Sequence, residues 1–252
     1  MAVNQNTIEI SIIGAGRFGH FWGRHLSKNF PLSFFDINLE RQKDIHKIGQ
    51  WESLENCLKK NYIFLTIPIR QLKGFLKKHA NQIQPGSTVI DCASVKVPVM
   101  RWFSKYLPQN IYYVASHPLF GPDSAKIKLS GQTIVLMPGK VPYHQYQFLV
   151  DLFAKSLELQ VFNMTAEEHD KLMAYNLNLV HYLGRVLDDL GIPRVSLMMS
   201  SLAKLNEIVS VVMNDTTELF LDFYQFNPYA KKIHKRWLKS FDKINHQISK
   251  NK

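Results

Sequence analysis

The residues of this chain that could do chemistry lie in a few short segments, and the most distinctive is SHPLFGPDS, Ser116 to Ser124. This segment places His117 between a β-branched, aromatic run and a Pro-Gly turn. An imidazole with an unperturbed pKa of about 6.5 is largely neutral at neutral pH and can accept a proton there. His117 is therefore a candidate general base, and the alternative is a turn histidine bonded to backbone.

A second segment, IEISIIGAGRFGHFWGRHL, carries G-x-G-x-x-G at Gly14, Gly16 and Gly19, directly after an apolar run. The three glycines allow a tight turn, approach of a pyrophosphate to the backbone, and close packing of a helix on a strand. The pyrophosphate would lie at the positive N-terminal end of the following helix. The pattern predicts a dinucleotide-binding turn, and the alternative is a glycine turn that binds no nucleotide.

An acidic residue supports the dinucleotide interpretation and bears on the type of cofactor. Asp36 ends the next predicted strand, 20 residues after Gly16. A carboxylate at this place accepts hydrogen bonds from the ribose hydroxyls and repels a 2′-phosphate, which predicts NAD in preference to NADP. Arg41, five residues further on, would accommodate a phosphate if the loop folds back.

The elements that must position these residues alternate in the first half of the chain. Such alternation predicts a parallel sheet covered by helices on both faces. The expected strands are Ile8–Ile13, Leu32–Phe35, Tyr62–Ile67, Thr88–Asp91, Tyr112–Ala115 and Thr133–Met137. The expected helices between the first four strands lie near Phe18–Lys28, Glu40–His46 and Ile69–Asn81.

Polar segments follow three of these strands. They are LTIP (Leu65–Pro68), DCASVK (Asp91–Lys96) and SHPLFGPDS. Ligands of open α/β sheets bind at the carboxyl edge of the strands, so the three segments predict one site there. The predicted cofactor contacts are Gly14, Gly16, Arg17, Phe18, Gly19, Asp36, Pro68 and Ala93.

The second half of the chain is predicted to be helical. Thr165-Ala-Glu-Glu168 is typical of a capping box, and apolar residues from Leu172 to Leu190 recur with a helical period until Gly191 and Pro193. Further helical patterns cover about Val195–Met213, Thr217–Phe226 and Tyr229–Ser249. The sequence thus predicts a Rossmann-type dinucleotide-binding domain, residues 1–163, followed by an all-helical domain, residues 164–252.

The composition narrows the class of protein. A net charge of +11 favours anionic partners without choosing one, and two cysteines in 252 residues indicate reduced thiols rather than a disulfide framework. No metal-type Cys/His spacing, secretory leader or membrane-length apolar run is present, so a soluble cytoplasmic protein is expected.

The basic tail that starts at Lys231 holds eight Lys/Arg and one Asp, with Trp237 and Phe241 interleaved. We expect a solvated helix face with the aromatic side chains packed inward, rather than a nucleic-acid or membrane surface.

Taken together, GAGRFG, LTIP, DCASVK, HPLFGPDS and AEEHDKLMAYNLNLVHYL resemble the prephenate dehydrogenase family of tyrosine biosynthesis, from Ile8 to about Lys239. The resemblance implies NAD-dependent oxidative decarboxylation of prephenate to 4-hydroxyphenylpyruvate. It also implies a homodimer through the helical domain and an active site between the two domains. The length leaves no room for the chorismate mutase domain that some members carry.

The resemblance also implies roles for individual residues. His117 matches the histidine that takes the proton of the ring hydroxyl, and Ser94 matches the serine beside it; a helix N-cap is a further, compatible role for Ser94. Lys96 would offer charge to a substrate carboxylate or hold its loop. His181 matches a second histidine that contacts substrate, and the alternative is a satisfied core histidine.

One departure concerns the substrate carboxylate. Members of the family use an arginine of the helical domain, whereas alignment of ELFLDFYQFNPYA places Tyr229 or a neighbour there. The possible substitutes are Arg185, Lys231, Lys232, Lys126 and Lys128. The missing arginine leaves arogenate, or an amino-substituted prephenate, as an alternative substrate, and a non-catalytic NAD-binding regulator as an alternative of a different class.

Overall fold

The computed structural model describes residues 8–125, 127–193, 195 and 199–250. Lys126, one of the possible carboxylate ligands, lies outside the described residues. The chain divides into two compact units, Met1–Ala166 and Glu167–Lys252. This division falls close to the boundary predicted after residue 163.

The first unit is built on one eight-stranded sheet in the order β3-β2-β1-β4-β5-β6-β7-β8. Strands β1 to β6 pair in parallel, β7 is antiparallel to β6, and β8 is parallel to β7. The strands are β1 (Ile10–Ile13), β2 (Leu32–Phe35), β3 (Gln50–Trp51), β4 (Tyr62–Leu65), β5 (Thr88–Asp91), β6 (Tyr112–Pro118), β7 (Thr133–Pro138) and β8 (Gln160–Asn163).

The helices of the first unit connect the strands and cover the sheet. They are α1 (Arg17–Leu26), α2 (Gln42–Ile45), α3 (Leu54–Cys57), α4 (Ile69–His79), α5 (Val97–Tyr106) and α6 (Tyr143–Asp151), with 3₁₀ turns at Leu39–Arg41 and Ala80–Gln82 and a π turn at Leu152–Ser156. Trp22 of α1 is fully buried and lies at 5.8 Å from the ring of Phe153 and 6.2 Å from that of Phe64. This aromatic contact anchors α1, and with it the glycine turn, to the sheet.

In the second unit the secondary structure of the described residues is entirely helical. The helices are α7 (Ala166–Met173), which begins just before the division, α8 (Val180–Asp189), α9 (Ser200–Met213), α10 (Thr217–Phe226) and α11 (Ala230–Lys250), with a π segment at Ala174–Leu179 between α7 and α8. Gly191, at φ +69°, follows the end of α8 as predicted, and the Thr216 side chain caps α10 by accepting the N–H of Leu219 at 3.2 Å.

The fold class predicted from the sequence is confirmed, with corrections at both edges of the sheet. The six expected strands exist, but β3 and β8 were not expected, and the last two strands run antiparallel to the others. Strand β3 has only two residues, and β8 is mostly exposed, so neither carries a long apolar pattern. The expected fifth strand continues to Pro118, so His117 lies within β6 and not in a turn.

The surface of the C-terminal helix agrees only partly with expectation. Trp237 packs at 5.1 Å from the ring of Tyr182, whereas Phe241, stacked on Trp237, is exposed in the single chain. Among the residues that the structure describes, no helix combines the length and the apolar character needed to cross a membrane.

Candidate active site

The glycine turn has the tight geometry that its sequence predicts. Gly14 lies at φ +109°, and the Thr66 hydroxyl donates to its carbonyl oxygen at 2.6 Å. A Cβ on Gly19 would lie 1.9 Å from that same carbonyl oxygen and 2.7 Å from Thr66 Oγ1. Helix α1 therefore approaches β1 and the end of β4 at a distance that only glycine permits.

We expect Gly19→Ala to weaken both the fold and dinucleotide binding. The added methyl overlaps a backbone oxygen that cannot rotate away, so α1 must move outward, and overpacking of this kind costs about 1–3 kcal/mol. The movement also displaces the helix N-terminus that would hold the pyrophosphate. Urea unfolding and calorimetric titration with NAD measure the two effects.

Gly74→Ala is the matched control for this substitution. A Cβ on Gly74 in α4 would meet nothing within 4 Å, so alanine there should stabilise the protein by about 0.5–1 kcal/mol and leave NAD affinity unchanged. Equal behaviour of the two variants would contradict the close approach of α1 at Gly19.

Asp36 is buried directly behind the glycine turn. Its Oδ2 accepts the N–H of Ala15 at 2.7 Å and an N–H of Arg41 at 2.8 Å, and its Oδ1 accepts the N–H of Asn38 at 2.8 Å. The carboxylate thereby fixes the turn between the first two glycines relative to the end of β2. The hydrogen bonds from the cofactor ribose to Asp36 stay a prediction.

Other predicted cofactor contacts surround the same turn. Arg17, at the start of α1, forms an ion pair with Asp123, which brings the glycine turn to the SHPLFGPDS segment. Phe18 stacks on Trp22 at 5.9 Å and so contributes to the core. Pro68 is exposed directly before α4, where its ring is compatible with the start of a helix.

A fully buried polar cluster joins the ends of β5 and β6. Lys96 and Asp91, both 0% exposed, form an ion pair. The Lys96 ammonium also donates to the Ser116 carbonyl at 2.6 Å, and the Ser116 hydroxyl donates to the Asp91 carbonyl at 2.6 Å. Asp91 further accepts the N–H groups of Ala93 at 2.9 Å and Ser116 at 3.3 Å. Burial raises the pKa of Asp91, and the Lys96 ammonium opposes that rise.

This cluster bears on the two roles expected for Lys96, which are to offer charge to a substrate carboxylate or to hold its loop. Its ammonium lies inside the unit, bonded to the residues that begin and flank its own loop, so the geometry corresponds to holding the loop. The contact of Lys96 with a substrate carboxylate stays a prediction. The loop so held carries Ala93 and Ser94, both half-buried.

His117 follows Ser116 in β6 and is 5% exposed. It lies opposite Val135 in the antiparallel ladder, near the carboxyl end of β6. Ser94 lies in the loop after β5, the neighbouring strand, so both residues belong to the same edge of the sheet. Helix α5 begins at Val97 with Lys96 as its N-cap, so Ser94 does not cap a helix.

Cys92, next to this cluster, is not a nucleophile. Burial, with a smaller contribution from the Asp91 carboxylate, raises the pKa of its thiol to about 12. The thiol is therefore protonated at neutral pH, when only a thiolate would attack. This agrees with the interpretation of Cys92 as a small packing residue.

In the second unit His181 lies in a largely apolar environment. It is 5% exposed, and its ring makes an edge contact with that of Phe223 at 5.1 Å. Its Nε2 lies 3.6 Å from Asp215 Oδ2. Burial, reinforced by the nearby Arg185 guanidinium, lowers the pKa of His181 to about 4, so the imidazole is neutral at neutral pH.

The other candidate substrate contacts of the second unit are Arg185 in α8, Tyr229 just before α11, and Lys232 in α11. Arg185 donates to the Asp215 carbonyl at 2.9 Å and stacks over Phe220 at 4.9 Å. Tyr229 donates its N–H to Asn227 at 2.9 Å, and Lys171 lies over its ring. Lys232 is exposed near the start of α11.

Several buried side-chain nitrogens among the described residues of this unit have no hydrogen-bond partner. Within the described part of the chain, Nδ1 of His181, Nε of Arg185 and Nδ2 of Asn178 are buried without a hydrogen-bond partner. Unpaired buried donors are costly, so the three atoms indicate that a polar group is expected beside this helix. They do not agree with a fully satisfied core histidine at position 181.

Four residues of these two arrangements were not among the sequence candidates. They are Thr66, Asp91, Ser116 and Asp215. Thr66, Asp91 and Ser116 lie within the three polar segments, so their position at strand ends was the available signal. Asp215 lies between two helices without any motif, and only the fold relates it to His181.

Comparison with known proteins agrees with this fold. Residues 34–157 match the family model described as prephenate dehydrogenase, nucleotide-binding domain. This match assigns residues 34–157, about half of the chain, to the nucleotide-binding domain of the prephenate dehydrogenase family. A second model, described as TYRAAT1-like, C-terminal domain, matches residues 186–252.

Two curated relatives align over almost the whole chain. A probable arogenate/prephenate dehydrogenase of Methanocaldococcus jannaschii is 24% identical over 99% of the chain and 58% of its own length. Arogenate dehydrogenase 2, chloroplastic, of Arabidopsis thaliana is 25% identical over 96% of the chain and 70% of its own length. The chain thus spans less than two thirds of the archaeal relative.

Solved structures of the family share the fold. The crystal structure of prephenate dehydrogenase from Aquifex aeolicus, in complex with hydroxyphenyl propionate and NAD+, has a TM-score of 0.79 at 19% identity. It covers 100% of this chain and 93% of the other. Synechocystis arogenate dehydrogenase has a TM-score of 0.70 at 19% identity over 97% and 93% of the two chains.

Proposed function

We propose that this protein catalyses the NAD-dependent oxidative decarboxylation of prephenate to 4-hydroxyphenylpyruvate. The observation that carries the proposal is His117, held at the carboxyl end of β6 beside a buried Asp91–Lys96–Ser116 cluster, in a chain that matches the nucleotide-binding domain of the prephenate dehydrogenase family. The other polar segments of the sequence end at the same edge of the sheet.

The residues of the glycine turn fit a dinucleotide. A Cβ on Gly14 would lie 2.9 Å from the Thr66 backbone, and one on Gly19 would lie 1.9 Å from the Gly14 carbonyl oxygen, so these two positions require glycine. A Cβ on Gly16 would lie 3.0 Å from the Arg41 guanidinium, at the end of a flexible side chain. The bound nicotinamide would supply the acceptor for a hydride from the substrate ring. The chain's own task is to hold the reactants at the sheet edge and to move a proton.

His117 is the proposed base. Its imidazole would take the proton of the ring hydroxyl as the hydride leaves, and Ser94 would orient the imidazole or that hydroxyl. Loss of carbon dioxide then makes the ring aromatic, so the protein does not need to stabilise a separate carbanion. The contribution expected of the chain is orientation and proton removal.

The helical unit is proposed to bind the carboxylates. Among the buried nitrogens without a hydrogen-bond partner in the described residues, Nε of Arg185 and Nδ1 of His181 are the two proposed to bind a carboxylate. Because the His181 imidazole is neutral at neutral pH, it would donate a hydrogen bond, and Arg185 would supply the positive charge. Tyr229 and Lys232 remain proposed additional contacts.

Arogenate is the second candidate substrate. Its side chain carries an ammonium group where prephenate has a keto group, and Asp215 places a carboxylate 3.6 Å from His181 Nε2. The plant relative is named arogenate dehydrogenase, and the archaeal one is named for both substrates. Both prephenate and arogenate should therefore be assayed as substrates.

The assay that tests the proposal follows NADH at 340 nm with prephenate, with arogenate and with neither. We expect turnover with prephenate and no NADH formation without substrate. Faster turnover of arogenate, measured as kcat/KM, would transfer the assignment to the second candidate. Folded protein that binds NAD but turns over neither compound would contradict a dehydrogenase role and leave the regulator alternative.

The cofactor, assembly and location are part of the same proposal. NAD is proposed from Asp36, while two fungal relatives are named as NADP-dependent. A homodimer through the helical unit is supported by the apolar side chains exposed in the single chain, such as Leu221, Phe241 and Ile244. A cytoplasmic location stays a prediction.

A further inference from the structure

The Asp36 carboxylate, which is expected to meet the adenosine ribose, is already hydrogen-bonded to other groups of the protein. Asp36 is 7% exposed and accepts three hydrogen bonds from the protein, one of them from the Arg41 guanidinium at 2.8 Å. A carboxylate of charge −1 is thus paired with a guanidinium of charge +1. The repulsion of a 2′-phosphate expected from Asp36 is offset at short range.

Arg41 is held against the glycine turn by local structure. It ends a 3₁₀ turn, Leu39–Arg41, that Asn38 caps by accepting the N–H of Glu40 at 3.0 Å. Arg41 Nη1 lies only 3.0 Å from the place where a Cβ of Gly16 would be. The loop after β2 therefore folds back, which was the condition for Arg41 to reach the cofactor.

The guanidinium retains capacity for a ligand. It has five N–H donors, of which one bonds to Asp36, and its side chain is 42% exposed. A guanidinium of this kind can bind a phosphate through two parallel hydrogen bonds. A phosphate on the 2′ position of the ribose would lie between the glycine turn and the end of β2, where Arg41 stands.

We infer that Arg41 determines cofactor specificity and that the protein binds NADP as well as NAD. Arg41 neutralises Asp36 and offers its remaining donors to the 2′-phosphate, while Asp36 still accepts from the ribose hydroxyls of NAD. The inference rests on the proposed dinucleotide binding and adds the second cofactor and the residue that admits it.

Calorimetric titration of the whole chain tests this inference without any turnover. The ligands are NAD, NADP, ADP-ribose and 2′-phospho-ADP-ribose; the last two lack the nicotinamide. For the wild-type chain we expect dissociation constants of the phosphorylated and unphosphorylated members of each pair within about tenfold. Arg41→Ala should weaken the phosphorylated ligands on the order of 10- to 100-fold and the others by less than about threefold.

Lys43→Ala is the matched control, because Lys43 is an exposed cation two residues further along the same loop and helix. It should change neither class of ligand by more than about twofold. An equal loss of 2′-phosphate affinity in Lys43→Ala would assign the effect to the general positive field and overturn the role of Arg41.

The remaining outcomes separate this inference from the proposed function. Wild-type preference for NAD over NADP by more than about 100-fold, or equal weakening of both classes by Arg41→Ala, would overturn the inference and leave dinucleotide binding intact. Binding of neither dinucleotide by the folded chain would overturn the proposed function itself.

Discussion

His117→Asn should lose most of the dehydrogenase turnover while it keeps the dinucleotide. Asparagine retains a polar side chain of similar reach but cannot accept the proton of the ring hydroxyl, so kcat should fall by about 10²- to 10⁴-fold, the contribution of a general base. The glycine turn and Asp36 belong to other strands of the sheet, so NAD affinity should change by less than about twofold. Turnover and calorimetric titration measure the two quantities on one preparation.

The dependence of turnover on pH distinguishes loss of a base from a change in packing, because a change in packing alone would not alter the shape of this profile. Turnover of the wild-type protein should fall as acidification protonates the base, and this acidic limb should be absent from the residual turnover of His117→Asn. A variant with near-wild-type turnover would exclude His117 as the base.

His144→Asn is the control for the chemistry of histidine in general. His144 is exposed in α6, and its neighbour Gln145 bonds to Thr88, the first residue of β5. Since His117 lies near the carboxyl end of β6, the control lies at the opposite edge of the sheet. It should leave turnover and NAD affinity unchanged.

The parts of the fold that were predictable from sequence are those in which a local pattern and the tertiary structure agree. β2 and β5 were predicted to the residue, because each is an apolar run with a punctuating turn on either side. The glycine turn and Asp36 were found because their spacing follows from the geometry of the cofactor. The antiparallel direction of β7 and β8 was not predictable, since an apolar run carries no information about direction.

The polar residues of the first unit also differ in how far the sequence predicted their roles. His117 and Ser94 were identified because they occur in unusual segments at strand ends. Asp91 and Ser116 occur in the same segments, but their role depends on complete burial around Lys96, which only the packed structure produces. For Lys96 the sequence was compatible with two roles, a charge for a substrate carboxylate or support of its loop, and the fold brings the Asp91 carboxylate and the Ser116 carbonyl to its ammonium.

Lys96→Met should be the most destabilising of the substitutions considered for this protein. Methionine fills a similar volume, but it leaves the Asp91 carboxylate buried without its counter-ion and the Ser116 carbonyl without its donor. Removal of one partner from a buried ion pair costs about 3–5 kcal/mol in the free energy of unfolding. Urea unfolding at pH 7 measures this loss, with Lys78→Met on the exposed face of α4 as the control, for which about 0.5 kcal/mol or less is expected.

A double-mutant cycle with Asp91→Asn separates the ion pair from the packing. Asparagine removes the charge but retains an oxygen for the N–H groups of Ala93 or Ser116. Asp91→Asn with Lys96→Met should therefore lose less than the sum of the two single substitutions. Additive losses, or a loss below about 1 kcal/mol in Lys96→Met, would contradict a coupled buried pair.

The pH dependence of the Lys96→Met deficit follows from the carboxyl that remains. Burial already raises the pKa of Asp91, and removal of the ammonium takes away the main influence that lowers it. A carboxyl whose pKa is higher in the folded than in the unfolded state binds protons preferentially in the folded state, so the stability of the variant rises relative to wild type as the pH falls. The loss in the free energy of unfolding should accordingly be smaller at pH 5 than at pH 7. A loss that grows on acidification would show that the unpaired Asp91 is not its cause.

Because the Asp91–Lys96 pair holds the loop of Ser94 against the strand of His117, the same variant should also lose turnover under conditions in which it remains folded.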